Sequence, residues 1–130
     1  MMRSPDLHYC LDSPYLWYDD SASNMVTKDL EAADKFAKAM RGQKDMLEQI
    51  NVAYQAMYCA TQALIHSINY KVSGFRCVVT VLEEFFISKG ILDRAHLDNL
   101  LRGQKIEGTP QENFDAAEAY IAAVKGIVTK

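Results

Sequence analysis

The sequence predicts an all-α protein, an antiparallel up-and-down bundle of four long helices and one short helix with an extended N-terminal arm. Apolar residues recur in alternating steps of three and four in several segments, which is the spacing of one face of an α-helix. Short polar or glycine-containing stretches separate these segments, and short connections favour antiparallel neighbours. The first 22 residues lack such a period and hold two of the three prolines. We therefore divide the chain into an arm, residues 1–22, and a helical bundle, residues 23–130.

The composition is that of a globular protein with one domain. The chain has 130 residues, of which 49% are hydrophobic and 24% are charged, enough to bury a core without metal ions or disulfides. Its formal net charge of −3 gives no support to RNA or a nucleotide as partner, because phosphate binding calls for a basic excess. No apolar run reaches the roughly 20 residues of a membrane helix, and the N-terminus lacks a signal-peptide pattern.

The three cysteines, Cys10, Cys59 and Cys77, have no CxxC spacing. Two of them fall in segments predicted to be apolar helices. We expect buried free thiols, which are common in a reducing compartment. The cysteines therefore favour a cytoplasmic protein.

The predicted arm carries an aromatic cluster, in which Tyr15, Trp17 and Tyr18 surround Leu16. So many aromatic groups are costly to leave in water. We expect the arm to lie across a groove of its own bundle. The alternative is that it covers a neighbouring chain.

The first bundle helix is predicted from Ser23 to Met40. Ser23 or Asn24 is placed to cap it by accepting from the amides of its first turn. Gly42 then allows the chain to turn. The apolar face of this helix consists of Val26, Leu30, Ala33, Ala37 and Met40.

The clearest helical pattern runs from Lys44 to Tyr70. Its apolar positions form an unbroken stripe about five turns long, which is typical of a helix packed in a bundle. The stripe consists of Leu47, Ile50, Tyr54, Met57, Thr61, Leu64 and Ile68. Within it and beside it, Tyr54, Met57, Tyr58 and Thr61 are candidates for a seam in the core or in a dimer, because buried tyrosine hydroxyls need a polar partner.

Three further helices follow. Ser73 is a plausible cap of the third, whose face contains Phe75, Val78, Leu82 and Phe85. Gly90 ends this helix, since glycine tolerates a left-handed backbone. A shorter helix capped by Asp93 and a polar loop over residues 102–110 come next. The last helix begins near Pro110 and has its face at Phe114, Ala117, Ile121, Val124 and Val128.

Helical bundles often hold metal or catalytic sites, but the side chains that such sites need are missing. Di-metal bundles use Glu-x-x-His pairs, and none of His8, His66 and His96 lies three residues after a glutamate. Cys59 and His66 are about two turns apart on one helix, too far for a hydrogen bond. We expect His66 to be a rim or satisfied core histidine, and we expect no metal and no cofactor.

The stretch from Ala53 to Asp93 resembles the HEPN family of small helical-bundle domains. The resemblance rests on an Ala- and Tyr-rich second helix, a K-x-S turn, an aromatic segment ending in a KGxLD-like stretch, and a last helix "AAEAYIAAVKGIV". The matching residues are Ala53, Tyr54, Ala56, Met57, Tyr58, Ala60, Ala63, Leu64, Lys71, Ser73, Phe85, Phe86, Gly90, Leu92 and Asp93. With the first and last bundle helices included, the resemblance covers about residues 24 to 129, and it implies a dimeric helical bundle. RNA-cleaving members of this family carry an Arg-x(4–6)-His motif on the loop after the short helix.

The chain departs from the HEPN pattern where that family has its catalytic residues. Ser73 is followed by Gly74 rather than by the family's histidine, and no histidine lies four to seven positions after Arg102. Without an imidazole, the loop lacks the general acid or base that cleavage at neutral pH would use. We therefore expect a catalytically silent HEPN-like domain, with Arg102, Lys105 and Glu107 as candidates for nucleotide or partner contact.

The resemblance implies a binding module that is a homodimer or the partner or substrate-binding subunit of a separate nucleotidyltransferase, in a toxin–antitoxin-like context. One alternative is a divergent HEPN ribonuclease that uses Arg102 and Lys105, with Glu107 as a possible base. Another is an unrelated helical-bundle interaction protein. Whether the chain is an enzyme is left open by the sequence, with the missing histidine favouring a non-enzyme.

Overall fold

The computed structural model describes residues 5–129, so the first four residues of the predicted arm and Lys130 lie outside the described residues. This part of the chain is mainly helical with one small two-stranded sheet, which confirms the prediction of a mainly α protein. The helices are α1 (Pro5–Asp12), α2 (Val26–Ala39), α3 (Met46–Ser67), α4 (Phe75–Val81), α5 (Arg94–Gln104) and α6 (Pro110–Val128). The strands are β1 (Leu16–Tyr18) and β2 (Tyr70–Val72). Among the described residues, no helix is both long and apolar enough to cross a membrane.

The core lies where α3 packs between α2 and α6. These three helices contact one another pairwise, and α5 packs against both α3 and α6. The interior faces of α3 and α6 combine small residues with large ones, which lets the helix backbones approach closely. The buried residues here include Ala53, Ala56, Met57, Ala60, Leu64, Ala117, Tyr120 and Val124.

The predicted long helix is confirmed as α3, which begins two residues after Lys44 and ends three residues before Tyr70. Asp45 caps it, because its Oδ1 accepts from the Glu48 amide at 2.8 Å. The expectation that Leu47 is buried was wrong, since 64% of this residue is exposed. Met46 is similarly exposed, at 62%, so both side chains at the start of α3 lie in solvent.

Two predicted helix caps were also wrong. Ser23 and Asn24 lie within a 3₁₀ turn (Ala22–Met25), and Met25 occupies the cap position of α2 without a side-chain bond. Gly74, with φ of +93°, occupies the cap position of α4 in place of Ser73. The third predicted helix begins at Phe75 as α4 and continues as a π-helical segment (Leu82–Ile87).

The first 22 residues do not form an extended arm throughout, which corrects that expectation. Residues 5–12 form α1, whose buried residues Leu7 and Cys10 are three positions apart and so share one helix face. Strand β1 then pairs antiparallel with β2, so that Leu16 lies opposite Val72 and Trp17 lies opposite Lys71. We call residues 5–19 the N-terminal segment. It packs against α4 and β2 of its own bundle.

The expectation of three free thiols was wrong, because Cys10 and Cys77 form a disulfide. Both cysteines are buried, and the bond links α1 to α4 across 67 residues of sequence. Only Cys59 is free among them, and it is half-buried. Burial raises the pKa of the Cys59 thiol, and the Asp29 carboxylate adds to this effect. Cys59 is therefore an unreactive thiol rather than a nucleophile.

Candidate functional site

The three residues proposed for contact lie together at the C-terminal end of α5, but they do not act alike. Arg102 is in the last turn of α5 rather than on a loop, which corrects the start of the predicted loop. Its guanidinium lies 3.6 Å from the Glu112 carboxylate and donates to the Glu112 carbonyl oxygen at 3.3 Å. Arg102 is therefore occupied with holding α5 to the start of α6.

The loop after Arg102 has to pass close to its side chain. A Cβ at Gly108 would lie 3.2 Å from the Arg102 Cδ and 3.3 Å from its Nε, and Gly108 has φ of +86°. Both features favour glycine at this position. The Arg102 Nε is enclosed here without a hydrogen-bond acceptor. The packing leaves no room for a ligand on this side of the guanidinium.

Lys105 and Glu107 lie at the surface of the loop. Both are exposed, and neither side chain makes a hydrogen bond or ion pair within the described residues. Between them, Ile106 has φ of +55° and is 41% exposed. A left-handed backbone is unusual for a β-branched residue. The structure thus brings the three predicted residues to one place, with two of them available to solvent.

Asn113 supports this loop and was missed by the sequence reasoning. It is fully buried, and its Nδ2 donates to the carbonyl oxygens of Glu107 at 2.9 Å and Thr109 at 2.8 Å. An asparagine beside an apolar helix face is a signal for such a role, because its amide can satisfy loop carbonyls. Asn113 fixes the loop that presents Lys105 and Glu107.

A capping box begins α6 beside the same loop. The Thr109 hydroxyl accepts from the Glu112 amide at 3.1 Å, and the Glu112 carboxylate accepts from the Thr109 amide at 3.2 Å. Hydrogen bonding of the Glu112 carboxyl to the Thr109 side chain and then to the Thr109 amide, with a smaller effect of Arg102, lowers the pKa of Glu112. The T-P-x-E spacing at the predicted helix start could have revealed this box.

No histidine reaches Arg102 from elsewhere in the described residues. His66 is buried, and its Nδ1 lies 2.5 Å from the Asp29 carboxylate, as expected for a satisfied core histidine. The His96 ring packs against Tyr120, with ring centroids 5.5 Å apart. His96 precedes Arg102 by six residues on α5, which separates them by roughly 9 Å along the axis and 120° around it. The cluster therefore lacks an imidazole for acid–base catalysis.

The shallow depression beside Arg102 is also a poor phosphate site. It has a volume of about 360 Å³ and lies between α5 and α6. Its charged lining groups are one guanidinium, Arg102, and two carboxylates, Glu112 and Asp115. An excess of negative charge repels phosphate. This geometry gives no support to a nucleotide ligand.

A second groove, of about 370 Å³, runs between α2 and α6. Four of its five charged side chains are paired across it: Arg41 with Glu118 at 2.9 Å and Lys125 with Asp34 at 2.9 Å. The fifth, Lys38, is exposed, and it is the one charge of the groove that the pairing leaves over. In the described part of the chain, no group of three or more His, Cys, Asp or Glu side chains could hold a metal ion.

The four seam candidates divide into two pairs. Met57 and Thr61 are fully buried in the core. Tyr54 and Tyr58 are half-buried, with ring centroids 6.0 Å apart. Burial raises the pKa of Tyr54 to about 12, with a further contribution from Tyr58. Only the two tyrosines retain exposed surface for a partner.

Thr61 has a buried partner that the sequence reasoning missed. Its hydroxyl donates to the Met57 carbonyl oxygen at 2.9 Å and lies 2.6 Å from the Tyr120 hydroxyl. Because the Thr61 proton is already used, Tyr120 must donate to Thr61. Burial raises the pKa of Tyr120 well above its usual range, so this proton stays in place.

The N-terminal segment displays the largest group of exposed aromatic side chains in the described residues. We call the exposed aromatic residues of this segment, Tyr9, Tyr15, Trp17 and Tyr18, the aromatic face, although Trp17 and Tyr18 are successive residues of β1 and so project to opposite sides of the ladder. Their exposed fractions are 38%, 41%, 41% and 62%, respectively. The rings of Tyr9 and Tyr15 are 5.8 Å apart, and Tyr18 contacts Tyr70 edge to face at 5.7 Å. Packing on the bundle therefore covers Leu16 but leaves these aromatics in contact with water.

Comparison with protein-family models, with curated proteins and with solved structures gave no match. The HEPN assignment is therefore untested by relatives and stays a prediction.

Proposed function

We propose that the protein is a non-catalytic interaction module that binds a protein partner through the aromatic face. The observation that carries this proposal is the exposure of four aromatic side chains on one short segment. Tyrosine and tryptophan are enriched where proteins bind each other, because they bury much surface at little cost in side-chain entropy. A monomer that kept such a group in water would gain nothing from it.

The contacts of Arg102 support a non-catalytic role. Its guanidinium is bound to Glu112 and packed on Gly108, and the described histidines lie elsewhere. Glu107 is exposed, and its side chain has no hydrogen-bond or ion-pair partner within the described residues. The cluster after α5 is best explained as a structural joint with two free surface charges.

The partner we propose is a second copy of this chain. The resemblance to the HEPN family implies both an up-and-down bundle of four long helices and a homodimer of such bundles. A separate nucleotidyltransferase is the other partner that the resemblance implies, and mixing experiments distinguish the two.

A cytoplasmic location stays a prediction. The buried Cys10–Cys77 disulfide weighs against it, since such bonds are typical of oxidising compartments.

Sedimentation velocity at micromolar concentration tests this proposal. We expect the native chain to be a dimer. For Trp17→Ser we expect a dimer dissociation constant that is higher by roughly 30-fold or more, as for the loss of an aromatic hot spot. Leu47→Ser is the matched control. Leu47 is also exposed, but it lies at the opposite end of α3 from β2, the strand that pairs with Trp17, roughly 30 Å away along the helix axis. A monomeric native protein, or equal weakening by both variants, would contradict the proposal.

Incubation with RNA separates the proposal from a divergent ribonuclease. We expect no cleavage above a buffer control. Cleavage that Arg102→Ala and Lys105→Ala both abolish, while the fold is retained in far-UV circular dichroism, would show that the protein is an enzyme. The exposed Lys105 is informative here because its removal disturbs no described contact.

A further inference from the structure

We propose that the Cys10–Cys77 disulfide is a redox latch, which holds the N-terminal segment on the bundle and releases it on reduction while the bundle stays folded. This inference is independent of the proposed function, since it concerns how the segment is held and not what binds it. It starts from the position of the bond. The disulfide joins α1 to α4, two elements that are far apart in sequence.

Beyond the disulfide, the apolar side chains that hold helix α1 are Leu7, which is buried in the core, and Leu11, which is partly buried against it. The helix has eight residues, and Cys10, one of its two buried residues, is itself a partner in the disulfide. A helix of eight residues is not stable alone, because nucleation costs more than so few backbone bonds return. Helix α1 therefore depends on its docking to α4.

The remaining contacts of α1 with α4 are weak, because the side chains that make them are exposed to solvent. Arg76 pairs with Asp6 at 2.9 Å, with side chains 60% and 62% exposed. Its guanidinium also lies 4.0 Å above the Tyr9 ring, which is itself partly exposed. Exposed ion pairs and cation–π contacts contribute little to stability. These contacts orient the segment without fixing it.

Strand β1 adds a short ladder and one buried side chain. Three residue pairs join it to β2, and Leu16 is 1% exposed. Two backbone bonds of 2.8 Å flank the ladder, from the Ser73 amide to the Tyr15 carbonyl oxygen and from the Asp19 amide to the Asn69 carbonyl oxygen. An ion pair of 3.2 Å between Lys71 and Asp19 accompanies them. An isolated two-stranded ladder of this length is marginal in water. The disulfide is thus the strongest connection between the N-terminal segment and the bundle.

The bundle core does not depend on the segment in the same way. Helices α2, α3, α5 and α6 bury their apolar faces against one another. Leu7, Cys10 and Leu16 are the buried core residues that the segment contributes. Loss of the segment leaves the helix contacts of α3 with α2 and α6 in place.

The reductant class is a dithiol. One thiolate attacks a sulfur of the Cys10–Cys77 bond and forms a mixed disulfide, and the second thiolate displaces the remaining protein sulfur. The protein gains two electrons and two protons as two cysteine thiols, and the dithiol leaves as a cyclic disulfide. Because both sulfurs are buried, the dithiol reacts when the segment opens transiently. Reduction then makes the open state persist.

Hydrogen–deuterium exchange of the full chain with and without dithiothreitol tests the latch. Thiol titration of the denatured protein should count one free thiol before reduction and three after. In the reduced protein we expect exchange in residues 5–19 and 69–73 to rise at least tenfold, and exchange in α3 and α6 to be unchanged. The anisotropy of Trp17, the only tryptophan in the chain, should fall.

Two variants serve as controls. The double variant Cys10→Ser with Cys77→Ser should show the rapid exchange without any reductant. Cys59→Ser should show the same exchange as the native chain in both redox states, with one thiol fewer in each count, because Cys59 takes no part in the bond. A difference in exchange between Cys59→Ser and the native chain would overturn the assignment of the latch to Cys10 and Cys77.

Three results of the native-chain experiment would overturn the latch. The first is unchanged exchange in residues 5–19 after three thiols have been counted. The second is a joint rise in the exchange of every helix, which would make the disulfide a staple of the whole domain. The third is a count of three thiols in the protein before reduction.

Discussion

The Thr61 and Tyr120 hydroxyls form a buried chain that ends on the Met57 carbonyl oxygen. The direction of donation along these two hydrogen bonds is fixed. The Thr61 proton is already donated to Met57, so the Tyr120 proton must be donated to Thr61. Removing the Thr61 hydroxyl leaves the Tyr120 hydroxyl without an acceptor, whereas removing the Tyr120 hydroxyl leaves Thr61 bonded to Met57. Their order in the chain therefore determines which substitution is worse.

We predict that Thr61→Val destabilises the protein more than Tyr120→Phe does. Tyr120→Phe removes one bond from an oxygen that keeps its other partner, at a cost of about 1 kcal/mol. Thr61→Val leaves the Tyr120 hydroxyl buried with no acceptor, at a cost of about 1–3 kcal/mol. Urea unfolding of both variants measures this, and the reverse order would refute the direction of donation.

We predict that Ile106→Asn stabilises the protein by about 0.5–1 kcal/mol, because asparagine tolerates the left-handed backbone that costs isoleucine strain. Ile91→Asn is the matched control. Ile91 is 47% exposed and Ile106 is 41% exposed, but only Ile106 has positive φ. The free energies of unfolding of both variants test this. Equal effects would show that exposure, not backbone strain, determines the result.

Residue-scale predictions from the sequence were good only for near neighbours. Arg102, Lys105 and Glu107 lie near one another because they fall within six positions of chain, and their role in contact stays a prediction. The partner of Thr61 is 59 residues away, and nothing in the local pattern distinguishes Tyr120 from any other core tyrosine. Likewise, periodicity assigned Leu47 to a buried face but could not show that no neighbour covers it.

At the scale of elements, the start of α6 depends on its capping box. We predict that Thr109→Ala lowers the free energy of unfolding by about 1 kcal/mol, since it leaves the Glu112 amide without its acceptor. Thr109→Ser keeps the hydroxyl and should retain most of the stability. Thermal unfolding of the two variants makes the comparison. An alanine variant as stable as the serine variant would rule out a contribution from the box.

The junction after β1 should respond to acid through Asp19. Bonds from the Ser21 side chain and amide, and then from Lys71, lower the pKa of Asp19 from 3.8 to about 2. The folded state therefore favours the carboxylate, and this stabilisation is complete above the usual pKa and is lost as the pH falls to about 2. We predict that the native chain is more stable than Asp19→Asn at pH 6 and that this difference disappears near pH 2. Urea unfolding followed by Trp17 fluorescence measures it, and a constant difference would contradict the role of Asp19.

Periodicity predicted the long elements because many turns average out local exceptions. Helices α3 and α6 each bury a face over several turns, so the spacing of their apolar residues carries enough information to locate them. Helix α1 and the β1–β2 pair were missed because distant partners stabilise them. Cys10 bonds to Cys77, and Leu16 lies opposite Val72, in contacts that no local window contains.

At the scale of the whole molecule, a helical core carries one covalently held segment with an aromatic outer surface. The core explains the fold, and the joint between α5 and α6 uses the residues that the HEPN resemblance would assign to a site. The aromatic face is the feature that packing leaves unexplained. Our central claim is that a second copy of the chain covers it.

Trp17 fluorescence along a dilution series tests this claim most directly, because the only tryptophan of the chain lies on the aromatic face. If two copies meet there, the Trp17 emission maximum shifts to longer wavelength on dilution, in step with the fall in sedimentation coefficient from dimer to monomer. Leu47→Ser should show the same shift. An emission maximum that stays constant while the dimer dissociates would place the interface elsewhere and contradict the account.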